Sequence, residues 1–213
     1  MTQAAAAAFL MLVLLFGGPW VTVQSTGAPE PQPARTAQEQ TDAPGADESS
    51  VLRVWNGTET VEMTMAAYLP GVVRGEMPAT FEEEALKAQV VAERTYIYYH
   101  LQRGGKANHP DADVCMDHTC CNAWTGAEQA AQKWGEQAEA YEAKIQEAVR
   151  ATDGQVMLYN GQLILAAFHS SSDGVTASCR DDWVQDLPYL ASVASPESGE
   201  SVPNYYSVRE FTA

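Results

Sequence analysis

Residues 80–101, TFEEEALKAQVVAERTYIYYHL, decide how this chain folds. Thr80 and Glu83 have the spacing of a capping box, in which a hydroxyl and a carboxylate each satisfy a free N–H at a helix start. The spacing predicts a long helix that stops at Gly104-Gly105, where the chain can leave helical geometry. Leu86, Val90 and Ile97 mark its buried stripe, and Lys87, Val91 and Arg94 share a neighbouring face. Glu82, Glu83 and Glu84 read as first-turn acids favoured by the positive end of the helix dipole.

Upstream, Val51–Trp55 and Thr60–Met63 are β-prone runs on either side of Asn56-Gly57, which predicts an opening hairpin. Thr64 is placed to cap a short helix through Met65, Ala67 and Tyr68. Pro70-Gly71 makes its continuation uncertain, and Glu76 follows near Pro78. Downstream, residues 106–124 form a loop rich in His, Asp and Cys. Thr125 and Glu128 suggest a second capping box, opening one helix or two broken near Gly135, as far as about Arg150. VMLYNGQLILAAF, residues 156–168, predicts another hairpin around Asn160-Gly161, and residues 188–193 a last strand. The expected class is α+β, a single domain with a long central helix and antiparallel strands.

The domain does not fill the chain. Residues 4–23 are almost wholly apolar and nearly long enough to cross a hydrocarbon core of about 30 Å. No Lys or Arg precedes Arg35, so residues 1–25 read as a membrane anchor, or otherwise as a cleaved signal sequence. Residues 26–50, rich in Pro, Ala, Gln, Thr and acids, hold little to bury and read as a flexible tether. Residues 51–213 are then the folded domain. The formal net charge of -16 argues against a nucleic-acid partner and against adsorption to anionic lipid, but not against a sugar ligand.

Three separated stretches occur in order: AAYLPGVVRGEMPATFEEEALKAQVVAERTY from 66, AAFHSSSDGVTAS from 166 and LPYLASVASPES from 187. Together they resemble the stage II sporulation protein D family, also called the amidase-enhancer family. The likeness runs from Val51 to the C-terminus. Two departures stand out: Asp173-Gly174 replaces the paired glycines often found after the serines, and family members usually continue further, so a truncated chain is expected. The resemblance implies a lytic transglycosylase that cuts between N-acetylmuramic acid and N-acetylglucosamine and leaves a 1,6-anhydro end. It also implies an extracytoplasmic domain, peptide-stripped glycan strands as substrate and a cell-wall amidase as partner.

Such an enzyme needs one carboxyl group, because the substrate's own C6 hydroxyl is the nucleophile. Read alone, Glu76 is one of 28 acidic residues; the family motif is what selects it as acid and base. The resemblance also places Lys87 and Arg94 near the groove as sugar-binding or orienting groups. His169, Ser170, Ser171 and Ser172 offer hydroxyls and N–H groups for substrate contact. A Ser/His/acid triad is disfavoured, since His169 adjoins the serines and no G-x-S-x-G elbow is present. Trp55, Trp124, Trp183, Tyr96 and Tyr98 suit either sugar stacking or the core.

His109, Cys115, Cys120 and Cys121 supply one imidazole and three sulfurs, a set suited to tetrahedral zinc, with His118 in reserve. Some family members resemble it in carrying a His/Cys cluster here. The expected metal is structural, since four protein ligands leave no open position; a catalytic zinc site and a disulfide from Cys179 to one of the three are the alternatives.

Overall fold

The computed structural model describes residues 45–105, 108–109, 111–183, 186–197 and 208–210. The apolar segment and most of the tether therefore lie outside the described residues. No helix among the described residues is long and apolar enough to cross a membrane.

The first strands form as expected. β1 (Val51–Trp55) pairs antiparallel with β2 (Thr60–Thr64), from Val51 opposite Thr64 to Trp55 opposite Thr60. Leu52 and Val54 point inward between exposed neighbours, the period of a half-buried strand. β3 (Val114–Cys115) adds parallel to the other edge of β1, giving the order β2-β1-β3. The folded part also reaches back past Val51: α1 (Ala46–Ser49) lies within the expected tether. The N–H groups of Ala46 and Asp47 donate to the Asp153 carboxylate, at 2.8 Å each. A short polar segment is thus ordered by an acceptor that lies 106 residues away.

Thr64 does cap α2 (Met65–Glu76), its hydroxyl accepting the Ala67 N–H at 3.2 Å. The helix runs straight on through Pro70 and Gly71. An internal proline costs about 3 kcal/mol, yet Met65, Tyr68, Leu69, Val72 and Val73 are all buried, and each is worth roughly 1.5–3 kcal/mol. Burial wins, and Glu76 becomes the last helical residue instead of part of a following turn.

α3 (Glu83–Leu101) is the central helix, with Leu86, Val90 and Ile97 in the core. The expected capping box is absent. Glu82 is the N-cap residue and makes no side-chain cap; the preceding turn is instead held by Lys144, which donates to the carbonyls of Ala79 and Phe81. The helix ends where expected, with Gly104 and Gly105 at φ 91° and 85°.

α4 (Ala127–Trp134) and α5 (Ala138–Ala151) are separated by a turn of 3₁₀ helix at Gly135–Gln137, so the break at Gly135 is real. The second capping box also fails to form, because Thr125 docks on α2: its N–H donates to the Gly71 carbonyl at 2.9 Å. α2, α3 and α5 pack together over the sheet around Val72, Val73, Val90, Ile145 and Val149.

β4 (Leu158–Tyr159) and β5 (Gln162–Leu163) form the second hairpin, shorter than its β-prone runs, with Asn160 at φ 50° and Gly161 at 75°. The strand expected at residues 188–193 does not form; one antiparallel bridge, Val175 with Ala194, follows directly after it. α6 (Cys179–Asp182) lies between these partners.

Candidate active site

Glu76 is partly exposed at the C-terminal end of α2. Its Oε1 accepts the backbone N–H of Ala123 at 2.5 Å, and among the described residues Oε2 accepts no hydrogen bond. One carboxylate oxygen is therefore anchored by the backbone, and the other is not held by any described residue.

Two glycines make this contact possible. A Cβ on Gly75 would stand 2.5 Å from the Ala123 carbonyl oxygen, and one on Gly71 2.0 Å from Nε1 of Trp124. These positions, one turn apart on α2, form a bare face across which residues 123–125 lie. Trp124 closes over it, its indole N–H donating to the Tyr68 carbonyl at 3.3 Å. Arg74 fixes the far side: it grips Glu142 of α5 through Nε at 2.9 Å and Nη2 at 2.5 Å, and Nη1 donates to the Thr125 carbonyl. Sequence reasoning missed Gly71, Gly75 and Arg74, though the G-x-x-x-G spacing just before the glutamate was a visible signal.

Glu93 was also passed over. It is wholly buried on α3. Gln89 Nε2 donates to its Oε1 at 2.7 Å and Asn122 Nδ2 to its Oε2 at 2.6 Å. Burial pushes this carboxyl up to about 8; the Gln89 bond works against that rise and the nearby charge of Glu76 adds to it. The sequence hint was weak, since an acid at a helix position is usually solvated.

The ligand atoms of Cys115, Cys120 and Cys121 lie within 4.8 Å of one another. None of the four cysteines is disulfide-bonded; Cys179 stands apart, its sulfur accepting the Leu187 N–H. Burial, aided by the neighbouring thiols, pushes Cys121 up to about 12. A divalent cation would reverse that balance, so three converging sulfurs fit a thiophilic metal. His109 is not in the group: its ring stacks on Trp55, centroids 4.8 Å apart, and both line a cavity of about 270 Å³ with Asn56, Gly57, Met116 and Asp117. His118 lies exposed beside Asp117.

The expected substrate residues make contacts of their own. Arg94 is fully buried and forks onto Asp47, with Nε to Oδ1 at 2.8 Å and Nη2 to Oδ2 at 2.6 Å, while Nη1 donates to the Gln155 carbonyl. Its guanidinium is taken up inside the protein, which corrects the expectation of a groove residue. Lys87 is partly exposed and pairs with Glu84 of its own helix at 2.6 Å. Ser171 and Ser172 both turn to Glu197, which takes the Ser171 hydroxyl at 2.6 Å and the Ser172 N–H at 3.0 Å. The Ser171 hydroxyl, followed by the Ser172 N–H, holds Glu197 below the usual carboxylate range. His169 and Ser170 are exposed, with His169 Nδ1 3.2 Å from the Ser171 carbonyl. Among the described residues no hydrogen bond or ion pair links Glu76 to any of these groups.

Residues 56–159, which contain Glu76, its glycine face and the thiol group, match the model of SpoIID, described as Stage II sporulation protein. The chain carries a SpoIID-family domain. Stage II sporulation protein D of Bacillus subtilis (strain 168) is 38% identical over 146 residues, covering 68% of this chain and 42% of that one. Its counterpart in Bacillus amyloliquefaciens is 36% identical over the same shares. The Amidase enhancer of Bacillus subtilis (strain 168) is 37% identical over 122 residues, 57% of this chain and 14% of that one. The chain thus spans less than half the length of these curated relatives.

Proposed function

We propose that this SpoIID domain is a lytic transglycosylase acting on peptide-stripped peptidoglycan, with Glu76 as the single acid and base. The observation that carries the reading is Glu76 itself, partly exposed, with Oε1 tethered and Oε2 available. Protonated Oε2 gives its proton to the oxygen leaving N-acetylmuramic acid as the C1–O bond breaks. The C6 hydroxyl oxygen of the same sugar bonds to C1, and its proton passes to the Glu76 carboxylate. Glu76 ends as it began, the product carries a 1,6-anhydro ring, and no water or second carboxylate is consumed. Lys87 and the exposed His169 and Ser170 remain candidates for binding the strand.

The metal belongs to this proposal as a structural one, held by the three sulfurs, with a fourth ligand to come from outside this group because His109 stacks on Trp55. Cys115, Cys120 and Cys121 would hold zinc, whose chemistry here is to pair with thiolates and so cross-link the loop that leads into Asn122 and Ala123. Chelation of purified zinc-bearing protein should lower its thermal midpoint, and Cys120→Ser should abolish that sensitivity. A wild type that carries no zinc as purified, or that is indifferent to chelator, rejects this part.

We place the domain outside the cytoplasmic membrane, tethered by the apolar segment at residues 4–23, and infer a cell-wall amidase as its working partner. The name of the Amidase enhancer also favours a second reading, a non-catalytic module that binds glycan and activates an amidase. Mass analysis of products from defined, peptide-free glycan separates the two. Wild type should yield anhydro-ended fragments and Glu76→Gln should reduce the rate by about 10² or more. Anhydro products at an undiminished rate from Glu76→Gln would sink the mechanism.

A further inference from the structure

Glu93 is a buried carboxyl that the proposed reaction does not use. It is wholly inaccessible, so it touches no substrate, and both its donors are neutral amides that are themselves buried. Keeping a carboxyl there is costly unless it does something a leucine would not.

Its Oε2 holds the side-chain amide of Asn122, and the next N–H along the backbone, that of Ala123, is the one donated to Glu76. The Asn122–Ala123 peptide is a rigid plane. Fixing the Asn122 side chain thus limits the direction in which the Ala123 N–H points. The other side of this stretch rests on the bare face at Gly71 and Gly75. Glycines permit the close approach but cannot orient the N–H; a hydrogen bond to Asn122 can. The charged and titratable groups bearing on Glu93 are Glu76 and Tyr68, both from α2, and the Tyr68 hydroxyl is bound to the Cys115 carbonyl at 2.8 Å.

We propose that Glu93 is a positioning residue for Glu76: by holding Asn122 it keeps the Ala123 N–H on Oε1 and leaves Oε2 as the oxygen that carries the proton. This role rests on the transglycosylase reading for its consequence in catalysis, but its geometry can be measured without activity.

Asn122–Ala123 is the only Asn–Ala pair in the sequence. Labelling the full chain with ¹³C-carbonyl Asn and ¹⁵N-Ala isolates the Ala123 amide signal as a single cross-peak. In wild type this proton should lie downfield, and Glu76→Gln should move it upfield. Glu93→Leu should move it upfield as well, and so should Asn122→Ala, whose Ala123 amide is followed by triple-resonance assignment of uniformly labelled protein because the substitution removes the Asn carbonyl label. Glu93→Gln keeps an acceptor for Asn122 once Gln89 turns its amide, and should leave the signal near its wild-type position. On peptide-free glycan, Glu93→Leu and Asn122→Ala should lower kcat by about tenfold with KM little changed, and Glu93→Gln should restore most of it. A cross-peak that stays in place in both Glu93→Leu and Asn122→Ala overturns the proposal, as does a loss that falls on KM. If Glu93→Leu does not fold, Asn122→Ala decides alone. If wild type makes no anhydro product, the transglycosylase reading falls, while the cross-peak still decides whether Glu93 aims the Ala123 N–H.

Discussion

At the scale of single residues, the molecule separates carboxylates by what surrounds them. Glu76 meets a backbone N–H and solvent, Glu93 meets two amides in the interior, and Glu197 meets a ring of serines. Glu93 has a consequence for stability. Its carboxyl is raised from 4.5 to about 8 on folding, so the folded state keeps a proton that the unfolded chain releases. Its contribution is fullest below about 4.5, declines as pH rises towards about 8 and is flat above that. The urea midpoint of wild type should therefore fall more steeply over this window than that of Glu93→Gln. Parallel pH dependences for the two proteins would show that Glu93 titrates normally.

At the scale of elements, α2 carries the site because it is bare on one side. The loop at 123–125 can reach Glu76 only where Gly71 and Gly75 leave room, and the two nearest atoms a Cβ on Gly75 would meet are backbone. Gly75→Ala should push the loop outward, lengthen the Ala123 contact and lower activity by about tenfold or more. The cost in stability should be about 1–3 kcal/mol, the range for overpacking. Kinetics and denaturant titration on one preparation check both, and unchanged activity would show that the glycine face is incidental. The helix starts teach a related lesson. Thr80 with Glu83 and Thr125 with Glu128 have the right spacing for capping boxes, but Lys144 and the Gly71 carbonyl supply tertiary partners that set both turns differently.

At the scale of the whole molecule, the segment before β1 is tied to the centre of the fold. Arg94 on α3 receives Asp47 from α1 and reaches the Gln155 carbonyl beyond α5, while Asp153 caps the same α1. Removing one partner of a fully buried pair leaves an uncompensated charge, and Asp47→Ala should cost about 3–5 kcal/mol. Arg94→Met with Asp47→Leu should recover part of this, since replacing both charges with apolar groups removes the penalty. A single variant within about 0.5 kcal/mol of wild type by urea unfolding would show that the pair is solvated in practice.

Local chemistry made the mixed α+β class, the opening hairpin, the Asn160-Gly161 turn, the end of α3 at Gly104-Gly105 and the break at Gly135 legible in the sequence. Each depends on a residue's own backbone preference or on near neighbours. The motif likewise singled out Glu76. Tertiary structure alone decided that Pro70 stays inside a helix, that Arg94 is an internal anchor, that His109 stacks on Trp55 away from the thiols, and that Glu93 stands behind the Asn122–Ala123 peptide. In each case the outcome depends on burial and on partners distant in sequence. One chain position carries no sign of whether its neighbour in space will be water, an amide or an opposite charge.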